Sequence, residues 1–313
     1  MKITTHEKFS QSKKRQEMSA QRFALMLSLP VIIFMLTVMS YPMIYALWLS
    51  FQEVSFLGGM KSEFVGMANY LEVIRSKEFW WSTWVTLNFT AVSVVLSISI
   101  GLGLALVMNR VKRGSNLLRT MIVLPWSVSL YATGIAWSYM ARGQTGSSTS
   151  VYNGLRGITS TAEATEISMI NSAWIGELLA LGNAWNMAPL IAFFLLANLK
   201  TIPSRLYDLA ALDRLSQFEQ FLYITLPPLR YTLFVFSSIA TVLSMKLLDF
   251  IFVMTAGGPG NTSATLTFTL YELAFRQSNM GLSAAMSVFL LVMIIGATLL
   301  LYAVWGRKIG EEA

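Results

Sequence analysis

The 313-residue chain is 55% hydrophobic and 12% charged, against roughly 25% charged residues in an ordinary soluble domain, and its mean hydropathy is +0.57. With no cysteine and one histidine, His6, it excludes disulfides, thiol nucleophiles, zinc-finger spacings, a metal centre and His-paired catalysis. The net charge of +7 does not point to nucleic acid, because the cations fall between apolar spans and not on one face of a soluble module.

A helix crosses about 30 Å of hydrocarbon with about 20 apolar residues, since lipid offers an unpaired backbone amide no partner. Residues 1–22 read as a basic tail that sets topology and is attracted to anionic lipid. The first uncharged span, 23–52, is too long for the h-region of a cleaved signal and is expected to stay attached. Pro30 and Pro42 predict kinks in it. The second span is 79–109, where Gly101, Gly103 and Ala105 suggest close helix packing. The third is 120–141, followed by a Ser/Thr/Gly-rich loop, 142–173, read as a mobile surface. The fourth is 178–199, the fifth runs from about Leu229 to Thr255 with Lys246 and Asp249 inside it, and the sixth is 277–306, leaving 307–313 as a C-terminal tail. The fold class expected is all-α integral membrane, with six transmembrane helices over residues 23–306.

Six spans put both termini on one side. With the termini inside, sixteen of the 23 cations lie in inner segments, among them Lys13, Lys14, Arg15, Arg110, Arg113, Lys200 and Arg307. Six lie in outer loops: Lys61, Arg75, Lys77, Arg142, Arg156 and Arg276. The positive-inside rule therefore makes both termini cytoplasmic.

The cytoplasmic loop 200–230 is more than a connector. Pro203 suits a first helical turn, Asp208 the positive end of a helix dipole, and Pro227-Pro228 predicts a stop. Leu209, Leu212, Leu215, Phe218 and Phe221 recur at spacings of three and four, an apolar stripe. Such a helix either lies in lipid headgroups or docks in a groove of a soluble partner. In the fifth span, Lys246 and Asp249 are three apart on one helix face. They read either as a local structural ion pair or, with Asn183, Trp185 and Asn186 of the fourth span, as part of a translocation path. Hydroxylated substrates need such amides, charges and an aromatic face. No Gly-Lys pair exists for a P-loop, so ATP chemistry would have to reside in another chain.

Asp208-Leu209-Ala210-Ala211-Leu212-Asp213, then Phe221, Ile224, Leu226 and Pro227, stand in register with the EAA-x-x-DGA…F…I…LP loop of permeases of binding-protein-dependent ABC importers. The chain resembles that family, with Arg214 and Leu215 where Gly-Ala is usual. Phe64–Tyr70 is similar to the FvGLxNY of MalF-type sugar permeases, Leu124-Pro125-Trp126 to their LPW, and Gly257-Gly258-Pro259-Gly260-Asn261 to their GGPGN. Ala274-Phe275 and Gly281–Ala285 resemble their AF…GxxxA motif.

The resemblance implies a six-span sugar or glycerol-phosphate permease with the type I ABC importer fold, working by alternating access in a bacterial or archaeal cytoplasmic (inner) membrane. It is a transport subunit and not an enzyme. In the family the loop seats as a coupling helix in a cleft of the ATPase, which assigns Asp208, Leu209, Ala210, Asp213, Arg214, Phe218, Phe221 and Pro227 to coupling. The implied partners are a second homologous permease, two ABC ATPase subunits and an extracytoplasmic binding protein, which Gly257, Gly258, Pro259 and Asn261 would touch. No cofactor belongs to this chain; ATP and Mg would bind the ATPase. The competing class is an ion-coupled secondary transporter, which would show paired repeats with broken helices.

Overall fold

The computed structural model describes residues 20–55, 61–111, 115–142, 147–157, 170 and 173–306. The tails at 1–19 and 307–313 and most of the loop expected at 142–173 lie outside the described residues. The chain divides into two units, Met1–Trp48 and Leu49–Ala313.

The first unit is the predicted first span. Helix α1 (Ala20–Phe34), a π turn at Met35–Met39 and α2 (Ser40–Leu49) follow one another without a gap. Pro30 sits inside α1 without ending it. The π turn immediately precedes α2, whose Pro42 has no N–H for the carbonyl of Val38, so a widened turn absorbs the second proline.

The second unit opens with a hairpin that an all-α reading omits: β1 (Gln52–Ser55) pairs antiparallel with β2 (Lys61–Phe64), Gln52 opposite Phe64. Then come α3 (Ala68–Arg75), the 34-residue α4 (Lys77–Arg110), α5 (Ser115–Ser127), α6 (Leu130–Ala141), α7 (Ser147–Leu155) and α8 (Ile175–Leu199). The second half holds α9 (Ser204–Leu212), α10 (Gln217–Gln220), a π turn at Phe221–Thr225, α11 (Leu226–Met245), α12 (Asp249–Met254), α13 (Leu266–Tyr271) and α14 (Met280–Leu301).

Among the described residues, five helical runs are long and apolar enough to cross a membrane: Arg22–Leu49, Lys77–Arg110, Ile175–Leu199, Gln217–Met245 and Met280–Gly306. The pair α5 and α6, bent by 93° at their junction, makes a sixth if counted as one broken span. Four expectations change. The third span is broken and not continuous. The fifth ends at Met245, ten residues early, and α12 starts a separate short helix. Pro227-Pro228 does not stop the chain, because the prolines sit in the first turn of α11, where a missing N–H costs least, and the π turn joins them to α10. The loop read as a mobile surface contains α7.

Helices α4 and α8 form the spine. On α4 the buried residues Ser93, Ser97, Gly101 and Ala105 recur every four positions, a stripe of small side chains facing one way. Without a hydrophobic force between helices in lipid, close backbone approach and dispersion must hold them. A Cβ on Gly101 would lie 2.8 Å from Ile191 Cγ2 and 3.1 Å from the Ala188 carbonyl, whereas Gly103 faces open space. Of the small residues expected to pack, Gly101 and Ala105 do and Gly103 does not. Ala105, Met108, Ile191, Leu195, Leu229 and Leu233 make one core between α4, α8 and α11. Phe89, Leu179, Phe250, Ile251 and Met254 make a second around α12.

A third junction explains two sequence motifs at once. Gly66 takes φ +58°, turning the chain into α3. The buried Asn69 amide then donates to the carbonyls of Ser50 and Gln52, 2.9 Å each, and Tyr70 Oη lies 2.6 Å from Ser50 Oγ. Gly281, in the first turn of α14, packs on this clamp, and a Cβ there would overlap the Gln52 carbonyl and sit 3.0 Å from Asn69 Nδ2. Gly281→Ala should therefore cost about 1–3 kcal/mol of overpacking, read as a lowered thermal midpoint in detergent. Gly103→Ala, which meets nothing within 4 Å, should not lower it.

Candidate functional site

Two of the predicted spans are broken, and the breaks face one cavity. In the first, Pro125 and Ser127 end α5, and Ser129 restarts the chain as the N-cap of α6, accepting from the Ala132 amide at 3.3 Å. The carbonyls freed there need donors. Asn186 of α8 supplies them, its Nδ2 lying 2.8 Å from Pro125 O and 3.2 Å from Val128 O. In the second break, residues 246–248 are non-helical between α11 and α12. Asn183 Nδ2 donates to Ser244 Oγ at 2.9 Å, and Thr267 Oγ1 donates to Met245 O at 3.0 Å. Phe250, fully buried, anchors α12: a Cβ on Gly182 would run into its ring, and one on Gly134 would lie 3.1 Å from its carbonyl.

Between the breaks lies a cavity of about 490 Å³ whose walls include Trp126, Ser129, Asn183, Asn186, Lys246 and Asp249. The structure thus brings together four of the five residues expected on a path. Trp185 is not among them; it packs edge-to-face on Trp137 at 6.5 Å. Positions 183 and 186 share a helix face and 185 does not, a distinction the 3.6-residue period already contains. The aromatic wall is Trp126 instead, a residue that sequence reasoning carried only as part of a motif.

Lys246 and Asp249 are not on one helix face. Lys246 caps α11, Asp249 begins α12, both are exposed, and they form no ion pair with each other. The reading as a local structural pair is therefore overturned. The Oδ1 atoms of Asn183 and Asn186 accept no hydrogen bond among the described residues. The cavity wall offers an ammonium, a carboxylate, two amide oxygens and an indole, a set suited to orienting hydroxyl groups.

The loop at the other end of α8 is a pair of short helices with defined ends. At the end of α9, Asp213 is the C-cap and Arg214 takes φ +59°. The Leu215 amide donates to Ala210 O at 2.9 Å and the Arg214 amide to Ala211 O at 3.1 Å, the two bonds of a Schellman turn. Arg214 thus adopts the left-handed geometry for which glycine is usual, so the turn survives the substitution. Ser216 then opens α10 with a capping box, its amide 2.7 Å from Glu219 Oε2 and its Oγ accepting from the Glu219 amide at 3.3 Å. Tyr207 Oη, 3.0 Å from Thr225 Oγ1, ties α9 to the root of α11. Leu209, Leu212 and Phe218 of the expected stripe are exposed, Phe221 and Pro227 are half-buried and Ala210 is buried. Asp208 and Asp213 are exposed, with no partner for either carboxylate.

The GGPGN segment is a compact turn. Gly257, Gly260 and Asn261 have positive φ, and the Gly258–Pro259 bond is cis. Ser263 Oγ donates to Gly258 O at 2.6 Å, and Trp81 Nε1 donates to Asn261 O at 2.9 Å. Gly257 is buried on the ring of Phe268, so Asn261 and its neighbours form the open face.

The family described as binding-protein-dependent transport system inner membrane component matches residues 97–309. The trehalose/maltose transport system permease protein MalF of Thermococcus litoralis is 32% identical over 275 residues, 87% of this chain and 89% of that protein. The trehalose transport system permease protein SugA of Mycobacterium tuberculosis is 29% identical over 89% of this chain and 87% of its own. A crystal structure of a bacterial ABC transporter involved in import of the acidic polysaccharide alginate aligns with a TM-score of 0.75 at 19% identity, over 92% of this chain and 96% of that one. That likeness is one of fold.

Arg214→Gly should keep the turn and raise the thermal midpoint, relieving about 1–2 kcal/mol of left-handed strain, whereas Arg214→Pro, locked at negative φ and without an N–H, should abolish it. Asn186→Ala should cost about 1 kcal/mol, the net worth of hydrogen bonds to half-buried carbonyls, in the same melting assay.

Proposed function

The chain belongs to the family of inner membrane components of binding-protein-dependent transport systems, multi-pass transport subunits and not enzymes, and from that premise we propose that it is a permease subunit importing a carbohydrate or polyol. The observation that carries the reading is the cavity between the two helix breaks, with Asn183, Asn186, Lys246 and Asp249 on its wall. Broken backbone at membrane depth is tolerated where it lines a wet cavity. The ion-coupled alternative, which broken helices alone would suit, has no support among the relatives.

In this reading both termini face the cytoplasm of a bacterium or archaeon, as the distribution of cations favours. The loop Ser204–Gln220 docks on an ABC ATPase through Leu209, Leu212 and Phe218, with Asp208 and Asp213 available for its basic groups. ATP and Mg bind that subunit, of which the assembly holds two copies. A second permease completes the path, and an extracytoplasmic binding protein delivers substrate beside Gly258, Pro259 and Asn261. The names of the trehalose and maltose permeases support a sugar as cargo.

In proteoliposomes holding the full assembly, Asp213→Ala should lower ATP-dependent sugar uptake about tenfold, within the usual range of coupling energies, while hydrolysis and membrane insertion persist. Unchanged uptake would remove the coupling role. Uptake driven by an ion gradient without ATP would remove the importer reading.

A further inference from the structure

A second pocket lies at the far end of α8 from the coupling loop. It has a volume of about 270 Å³ and is walled by Trp81, Trp84 and Asn88 of α4, Glu177 of α8, and the segment that follows the GGPGN turn. On α4, residues 81, 84 and 88 fall on one face by helical spacing. Neither the nearby span nor the turn requires this composition. Trp81 is held by its bond to Asn261 O, so its indole is fixed in place and is not a free interfacial anchor. Trp84 Nε1, the Asn88 amide and the Glu177 carboxylate have no partner among the described residues. Asn88 lies eleven residues into α4, about 16 Å along its axis. Asn88 and Glu177 are both exposed on the pocket wall, so their polar atoms are open to a ligand.

We infer that this pocket is a second saccharide site, which receives one neutral sugar ring before it reaches the cavity between the breaks. The inference rests on the importer reading above. An indole face attracts the C–H groups of a pyranose by its quadrupole. The indole N–H, amide and carboxylate supply the donors and acceptors that ring hydroxyls need. The volume falls just below the ~300–1,000 Å³ of drug-sized pockets, which suits a single ring. Glu177 is the one charged residue in the wall, so it repels a phosphate or a uronate and selects uncharged sugars. Its carboxylate with two indoles also suits the cation of a lipid headgroup, but the phosphate that accompanies that cation would be repelled by Glu177.

The test uses the full assembly, without binding protein, in nanodiscs of phosphatidylglycerol, with 5-fluorotryptophan in this chain and Trp→Phe variants to assign the ¹⁹F signals. Glucose, maltose and trehalose are titrated in turn, then glycerol 3-phosphate, glucuronate and phosphocholine. The signals of Trp81 and Trp84 should shift saturably with at least one neutral sugar and with none of the other three. Glu177→Gln should weaken that response about tenfold, the worth of a hydrogen bond to a charged group. A sugar response at Trp126 with none at Trp81 and Trp84 would overturn this site and leave the importer reading standing. Silence at all three tryptophans would overturn both. A response to phosphocholine and to no sugar would make the pocket a lipid-headgroup site and overturn the inference.

Discussion

Within a membrane every freed backbone carbonyl must find a donor inside the protein, and the architecture follows from where α8 supplies them. Where α5 ends at Ser127, the Pro125 carbonyl keeps a bond from the Val128 amide at 3.3 Å and the Val128 carbonyl lies outside the helix. The Asn186 amide takes both. One turn earlier, Asn183 fixes the end of α11 through Ser244. The two breaks are thereby positioned by one continuous helix, and a cavity opens between them because the chain is locally non-helical there. Glycine does the complementary work. Gly182 and Gly134 leave room for Phe250, and Gly101 lets α4 approach α8. The amides of Asn183 and Asn186 and the missing side chain of Gly182 make α8 the element on which the rest is registered.

Much of this is legible in sequence, and the failures have physical causes. Uncharged length located the first, second, fourth and sixth spans to within a few residues, since hydrocarbon thickness sets that length directly. The order of the loop motifs located the short helices and the GGPGN turn. Hydropathy cannot see a break inside an apolar run, because residues 120–141 are as apolar around the 93° bend as a straight helix would be. The fifth span failed for the same reason: Lys246 and Asp249 looked like a pair on one helix, whereas Phe250 binds α12 to α6 and α8 more firmly than the helix ladder binds it to α11. Trp185 was chosen for its chemistry and not its angle, and its period from Asn183 places it elsewhere. The hairpin of β1 and β2 escaped because four-residue strands carry too little periodicity to register.

Arg214 shows how a local rule can be broken without losing the structure it serves. Left-handed backbone costs a non-glycine residue about 1–2 kcal/mol, and here both bonds of the Schellman turn, with the capping box that follows, hold it in place. The glycine pattern is therefore a statement about φ, and the residue that meets it is free to carry a charge on the exposed side.

In the proposed reading, the same rigidity links the loop Ser204–Gln220 to a distant cavity. Joined by the Schellman turn that closes α9 and the capping box that opens α10, the two helices have little freedom to absorb a push. Tyr207 holds α9 to Thr225, and from the π turn the chain runs unbroken through Met245, twenty residues of α11 or about 30 Å. A π turn ahead of two prolines preserves helical continuity where a simple proline stop would have inserted a flexible joint. Lys246 stands at the end of that rod, at the wall of the cavity. A displacement of the loop is thus delivered to the residue beside the break and not dissipated in the connection. The non-helical residues 246–248 are where the motion can be taken up, because α12 is fixed to α6 and α8 through Phe250.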